Sequence, residues 1–196
     1  MVELSNADSK VEKKTQIPGE VGIWAFVAGD LLVFSVFFIL IALGHAEQTD
    51  IFEASRGTLD LRFGIANTLL LLTGSLFVAI GVERCRSMPS GKNKQWFFLG
   101  IGCGVGFVVN KIFEWNAKIE AGYSPVTNDF YMYFFIFTGI HLIHVLVGLG
   151  VLLFILRMSQ RSSLSAREIQ TLESGAIFWH LVDLLWIMLF ALLYLL

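Results

Sequence analysis

Six ionisable side chains stand inside otherwise apolar stretches of this sequence. They are Asp30, Glu114, His141, His144, His180 and Asp183. A charge at the centre of a lipid bilayer costs about 2.5–3.5 kcal/mol on insertion scales, so each of these side chains requires a partner or a function. The histidines at 141 and 144 are three positions apart, as are His180 and Asp183, and this spacing puts both members of a pair on one helix face. The pattern predicts an intramembrane polar network with hydrogen bonds between helices.

Asp30 is the most isolated of the six, because it stands within the aromatic and apolar segment 24–34. No basic residue lies within one helical turn of it, and removal from water favours the neutral carboxylic acid over the ion. A neutral carboxyl group can donate a structural hydrogen bond to a neighbouring helix, or it can relay or sense protons. Both interpretations of Asp30 remain open from the sequence.

The same residues suggest two other classes of protein. Asp30, His144 and Asp183 are expected about 13–18 Å deep, near one level, as in a small proton or cation transporter. Transporters often contain an internal repeat, and none is visible between the first and last parts of the chain. His144 and His180 on facing helices would suit a haem-bearing oxidoreductase. Di-metal bundles, in contrast, need additional Glu-x-x-His pairs that this sequence lacks, and no metal site is predicted.

The elements that position these residues are five long apolar runs. The chain has 196 residues and is 56% hydrophobic, more than the roughly 45–50% of soluble domains. About 20 apolar residues cross about 30 Å of hydrocarbon as a helix, which satisfies its own backbone hydrogen bonds. The sequence therefore predicts an all-α bundle of five transmembrane helices at 21–196, after a polar cytoplasmic tail at 1–20. The runs are 21–44, 62–82, 95–113, 130–156 and 175–196.

The distribution of basic residues predicts the orientation of the bundle. Positive charge is enriched in cytoplasmic loops, so the N-terminus is expected in the cytoplasm and the C-terminus outside. Arg56, Arg62, Lys111 and Lys118 fall on the predicted outer side. With a net charge of −2, the chain has no basic patch that would indicate a nucleic-acid partner. The ten basic residues on the predicted cytoplasmic side are Lys10, Lys13, Lys14, Arg84, Arg86, Lys92, Lys94, Arg157, Arg161 and Arg167.

Local motifs predict how helices begin and pack. The segment 165–168, Ser-Ala-Arg-Glu, is a capping-box pattern that predicts the start of the last helix. Gly100 and Gly104 form a Gly-x-x-x-Gly pattern, which is typical of closely packed membrane helices and also permits close approach to a partner. Three tryptophans are expected to anchor at the membrane interfaces or against a partner. These are Trp24, Trp179 and Trp186.

Two of the spans carry motifs that resemble subunit III of the haem–copper oxidase superfamily. They are Phe-Thr-Gly-Ile-His-Leu-Ile-His-Val-Leu-Val-Gly at 137–148 and Trp-His-Leu-Val-Asp-Leu-Leu-Trp at 179–186. Asn67-Thr68 and Gly74-Ser75 in the second span also match, and Asp30 stands where the family commonly has Glu. The resemblance extends from about residue 20 to the end, and it is to the five-span form of the family. Quinol oxidases share this form with a subunit-III-like protein associated with bacterial nitric oxide reductases, which this chain resembles most.

The resemblance implies a non-catalytic accessory subunit in the bacterial inner membrane. Its expected partners are catalytic subunit I and membrane lipids, with bound phospholipid. Haems and copper or iron would belong to partner subunits, and no cofactor is expected in this chain. The implied role is support of assembly, proton uptake and sustained turnover in aerobic or nitric oxide respiration.

Overall fold

Six α-helices form the described part of this protein in a computed structural model, which describes residues 18–87, 93–161 and 163–196. Five of them are long and apolar enough to cross a membrane, so the predicted all-helical, five-span architecture is confirmed. Most of the predicted polar tail at 1–20 lies outside the described residues. The helices are α1 (Val21–Glu47), α2 (Thr49–Arg56), α3 (Leu61–Ser87), α4 (Lys94–Glu120), α5 (Asp129–Met158) and α6 (Ala166–Phe190), which continues into a π-helical turn at Ala191–Leu195.

The helices extend beyond the apolar runs that predicted them. α3 continues to Ser87 and α4 to Glu120, although the runs end near 82 and 113. A helix can continue from the hydrocarbon into the membrane interface because the long side chains of its charged residues reach water with their charged ends. Hydropathy therefore indicates the membrane-embedded part of each helix and not its ends.

Hydropathy does not predict α2, the short helix between the first two spans. Asp50 in its first turn and Arg56 in its last complement the helix dipole. Phe52 and Ser55 are its buried residues, and the Phe52 ring packs edge-on against Phe130 at a centroid distance of 5.5 Å. The helix is amphipathic and packs against the start of α5.

Side-chain caps begin the last two helices. Ser165 Oγ accepts a hydrogen bond from the Glu168 amide at 3.3 Å, and Glu168 Oε2 accepts one from the Ser165 amide at 2.8 Å. The predicted capping box is thus confirmed. At α5, Asn128 Oδ1 accepts from the Tyr131 amide at 3.0 Å, while Asn128 Nδ2 donates to Ser55 Oγ at 2.9 Å and ties α2 to α5.

The core lies among α3, α4, α5 and α6, with α1 packed along α5 and α6. Of the five spans, α6 is the most buried and α1 the least. The start of α1 is held beside α6, since the Gly19 amide donates to Glu173 Oε2 at 3.0 Å and the Glu20 amide to Ser174 Oγ at 2.9 Å. We name the end of the bundle where α1 begins the N-side, and the opposite end the C-side.

Gly100 and Gly104 lie inside the bundle. A Cβ atom at Gly100 would stand 2.9 Å from Val78 Cγ2 on α3. A Cβ atom at Gly104 would stand 2.7 Å from both Leu149 Cδ2 and Trp179 Cη2. This glycine face therefore serves packing within the chain and is not free for another protein.

Two of the three tryptophans do not lie at an interface as expected. Trp179 and Trp186 are fully buried, and only Trp24 is exposed. The reason is the central position of α6, where glycines of neighbouring helices make room for the Trp179 ring. Gly148, for example, would place a Cβ atom 2.9 Å from Trp179 Cε3.

A candidate intramembrane polar site

Asp30 of α1 and His144 of α5 form an interhelical pair. The His144 Nε2 atom lies 3.2 Å from Asp30 Oδ1, and His144 Nδ1 lies 2.8 Å from the Ile140 carbonyl oxygen. Because a carbonyl oxygen only accepts, Nδ1 carries a hydrogen. The contact between Nε2 and Asp30 then holds one proton, either on the carboxyl group or on the ring. The pair is neutral overall in both forms, which suits its place between membrane helices.

The Asp30–His144 pair predicts a modest contribution to stability. We expect Asp30→Ala to lower the free energy of unfolding by about 0.6–1.7 kcal/mol, the range of interhelical hydrogen bonds in membranes. Unfolding of the purified protein in mixed micelles measures this. The control is Ser35→Ala, because Ser35 is an exposed residue of the same helix that donates only within α1, to Leu31. Equal effects of the two substitutions would contradict a specific role for the pair.

Lys111 and Glu114 of α4 form a buried ion pair that Tyr194 completes. Lys111 Nζ donates to Glu114 Oε2 at 2.9 Å and to Tyr194 Oη at 3.1 Å, and Tyr194 Oη donates to Glu114 Oε1 at 2.5 Å. The side chains of Lys111 and Glu114 are 0% and 1% exposed. The rings of Phe134 and Trp186 lie with their centroids 4.6 and 5.0 Å from Lys111 Nζ, close enough for cation–π attraction.

The third group links α6 to α3 through a serine. His180 Nδ1 lies 2.5 Å from Ser75 Oγ, and the Asp183 carboxyl group interacts with the same hydroxyl. Asp183 Oδ1 is buried and accepts no hydrogen bond from any residue that the structure describes. The spacing of His180 and Asp183 predicted that both lie on one face of the last helix. Ser75 was noted only as part of the Gly74-Ser75 family motif and was not predicted to be their partner.

His141 departs from the expected network. Both of its ring nitrogens are buried and lack a hydrogen-bond partner within residues 18–87, 93–161 and 163–196. The ring packs instead against Phe107 and Trp186, at centroid distances of 5.6 and 5.4 Å. Three residues leave about 60° between side-chain directions on a helix, so His144 reaches α1 while His141 faces α4 and α6.

Amide and hydroxyl groups provide further interhelical bonds that sequence reasoning missed. Asn110 Nδ2 of α4 donates to Asn67 Oδ1 of α3 at 2.8 Å, and Trp186 Nε1 donates to Thr68 Oγ1 at 3.0 Å. The available signal was an uncharged polar residue within an apolar run. Such residues are common in membrane helices, so this signal alone does not identify the partner.

The six predicted residues therefore do not converge on one centre. The described chain contains no cluster of three or more His, Cys, Asp or Glu side chains placed to hold a metal ion. Asp30 and His144 form one group, His180 and Asp183 another, and Glu114 a third, each with a partner on a different helix. The arrangement can join helices by hydrogen bonds and can hold protons at defined atoms.

Fold and site together define a polytopic helical membrane protein whose buried polar groups connect its spans. The chain belongs to the cytochrome c oxidase subunit III family, whose family model matches residues 12–196. It is 28% identical over 179 residues to cytochrome c oxidase subunit 3 of Thermostichus vulcanus, covering 89% of this chain and 86% of that protein. It is 26% identical over 180 residues to cytochrome bo(3) ubiquinol oxidase subunit 3 of Pseudomonas aeruginosa (89% and 83%). It is also 26% identical over 197 residues to quinol oxidase subunit 3 of Bacillus spizizenii (97% and 93%).

Proposed function

We propose that this chain is the non-catalytic accessory subunit of a respiratory haem–copper enzyme and binds beside catalytic subunit I in the bacterial inner membrane. Family membership over residues 12–196 carries the proposal, because the relatives are named as subunit 3 of cytochrome c and quinol oxidases. The engagement of His144 with Asp30, and of His180 with Ser75, supports it. These side chains join helices of this chain, while the haems and copper or iron belong to the partner subunits.

The test of this function compares membranes with and without the chain. In its absence we expect the catalytic subunit to retain its haems and nearly its normal initial rate. Assembly yield, sustained turnover or proton supply should fall, because an accessory subunit supports the catalytic subunit without supplying reacting groups. Initial and sustained consumption of oxygen and of nitric oxide are measured on matched amounts of haem. Complete loss of the initial rate with fully haem-loaded subunit I would contradict the accessory role.

Within the family, we propose the branch associated with nitric oxide reductases. The short loops between the spans favour this branch, whereas the relatives named above are oxidase subunits. Co-purification from native membranes followed by mass spectrometry identifies the catalytic partner directly. A partner that consumes oxygen and not nitric oxide would overturn the branch while leaving the accessory role intact.

The proposed orientation has the N-side in the cytoplasm. Arg84 and Arg86 lie at this side, near the end of α3. Lys111, which was counted on the other side, is fully buried and paired with Glu114, so it no longer weighs against this orientation. We expect a C-terminal reporter that works only outside the cytoplasm to be active and a cytoplasmic reporter to be silent. The reverse pattern would contradict the orientation.

Bound phospholipid is part of the proposal. An apolar cleft of about 380 Å³ lies between α1, α5 and α6 toward the N-side. Its apolar walls suit an acyl chain, whose burial is worth about 0.8 kcal/mol per CH₂ group. Lipid analysis of the purified complex tests this, with loss of retained lipid expected when the cleft is filled. The apolar residues that line the cleft include Ile23, Phe26, Val147, Val151, Phe154 and Phe178.

A further inference from the structure

A second cleft opens between α3 and α6 on the N-side of the bundle. It has a volume of about 220 Å³, and its walls include Glu83 and Arg86 of α3 with Glu173 and His180 of α6. Arg86 Nη1 lies 3.8 Å from Glu173 Oε1 at its rim. Charged groups thus surround the opening, while the His180 ring forms part of the wall deeper in the membrane.

A continuous set of proton-carrying groups leads inward from this cleft. His180 contacts Ser75 through Nδ1 at 2.5 Å, and the Ser75 hydroxyl in turn interacts with Asp183. Asp183 is only 6% exposed, and its Oδ1 atom has no hydrogen-bond partner in the described ranges. A buried polar atom without a partner is costly, so this oxygen requires a proton or another donor. The contacts therefore order three groups from the cleft to a buried carboxyl.

We propose that His180, Ser75 and Asp183 form a proton-exchange site that opens only to the N-side. A proton from the cleft binds His180 Nε2. His180 then passes its Nδ1 hydrogen to Ser75 Oγ as the Ser75 hydroxyl hydrogen moves to the Asp183 carboxylate. His180 ends as the other neutral tautomer, the serine hydroxyl is regenerated, and Asp183 becomes a neutral acid. One proton moves inward, and no group is oxidised or reduced.

No other strong base lies close enough to Ser75 to compete with Asp183 for the proton among the described residues that line the cleft. The other titratable groups facing it are Glu83 and Arg86 from α3, Glu173 from α6 and Cys103, whose Cβ atom lies 3.0 Å from the Cβ position at Gly74 on α3. The three charged residues line the cleft near its mouth, at least two helical turns from Ser75 or Asp183 along their own helices. They can exchange protons with the cleft without replacing Asp183 as the buried acceptor.

Buried side chains stand between Asp183 and the C-side of the bundle. Tyr194 follows Asp183 by eleven residues, about 16 Å along a helix, and it completes the buried group with Lys111 and Glu114. The aromatic ring of Trp186 stands between, 5.0 Å from Lys111 Nζ. These buried side chains favour access to Asp183 from the N-side cleft that His180 lines.

The experiment follows the Asp183 carboxyl group by infrared difference spectroscopy. The full-length protein, in its native complex and labelled with ¹³C-aspartate, is placed in oriented vesicles, and the pH is lowered on one side at a time. We expect a protonated-carboxyl signal that grows when the N-side is acidified. Asp183→Asn should abolish it, whereas Asp50→Asn, which changes an exposed aspartate of α2, should leave it unchanged.

Ser75 variants test the relay itself. We expect Ser75→Ala to slow the rise of the signal by about 10²-fold, the lower end of what a positioned proton-transfer group contributes. Ser75→Thr keeps a hydroxyl group and should remain close to the unsubstituted protein, which separates the relay from a packing defect. A carboxyl signal that does not change with pH, an equal response to acidification of the C-side, or an undiminished rate in Ser75→Ala would each overturn the proposal. None of these outcomes bears on the accessory role, which is tested by turnover.

Discussion

Lys111→Met is expected to lower the free energy of unfolding by about 3–5 kcal/mol, the cost of leaving one member of a buried ion pair without its partner. Methionine has nearly the length of lysine, so the substitution removes the charge without opening a large cavity. The Glu114 carboxylate loses the Nζ atom at 2.9 Å, and Tyr194 loses one of its two hydrogen bonds. Unfolding in mixed micelles, followed by far-ultraviolet circular dichroism, measures the loss.

The double variant Lys111→Met with Glu114→Gln identifies the cause. Removing both charges leaves no uncompensated ion, so we expect the double variant to be more stable than either single variant. Arg161→Gln is the matched control, because Arg161 pairs with Glu168 at the protein surface and exposed pairs contribute little. Additive losses in the double variant, or a control as damaging as Lys111→Met, would show that burial of the ion pair is not the cause.

Gly104→Val is expected to destabilise the bundle by about 1–3 kcal/mol, the usual cost of inserting methyl groups into a packed interior. The new Cβ atom alone would stand 2.7 Å from Leu149 Cδ2 and from Trp179 Cη2. The Trp179 ring has little room to move, because Gly148 on α5 holds it from another side. Valine at this position must therefore push α4 away from α5 and α6.

Gly102→Val is the control for this prediction, since it lies on the same helix two residues away. No atom of the described chain beyond its own helix backbone and sequence neighbours lies within 4 Å of the Cβ position at Gly102. We expect almost no loss of stability in this variant, because the added Cβ atom meets no neighbouring helix of the described chain and valine is a better helix former than glycine. Melting temperatures of the two variants, measured side by side in one detergent, test the difference. Equal stability would contradict the tight approach of α4 to its neighbours.

The sequence determined the architecture of this protein because hydrocarbon thickness fixes the length of a spanning helix. The first four apolar runs each lie within one helix, and the last follows α6 and its π-helical turn to Leu195. The capping box at Ser165 marks the true start of α6. The motifs of the fourth and last spans were sufficient to predict the family. Pairing of Lys111 with Glu114 was also predictable, since residues three apart on a helix are neighbours.

Only the tertiary structure decided which distant residues share a site. Helical periodicity gives the direction of a side chain from its own axis, but not which helix stands opposite. Hence Ser75 and Tyr194 were missed as partners of His180 and Glu114, and His141 was expected to have a hydrogen bond that the described chain does not provide.

The aromatic residues of α6 show the same division between sequence and structure. Tryptophan in a span is as typical of a membrane interface as of a packed interior, so the sequence at 179 and 186 fits either place. Both rings are buried because α6 packs against α3, α4 and α5. Glycines on those helices leave space for Trp179, whereas Phe107 and His141 pack around Trp186. The length of each apolar run determined the helices. The packing of one helix against another, which depends on the shapes of both, determined which polar groups meet and which residues form the core.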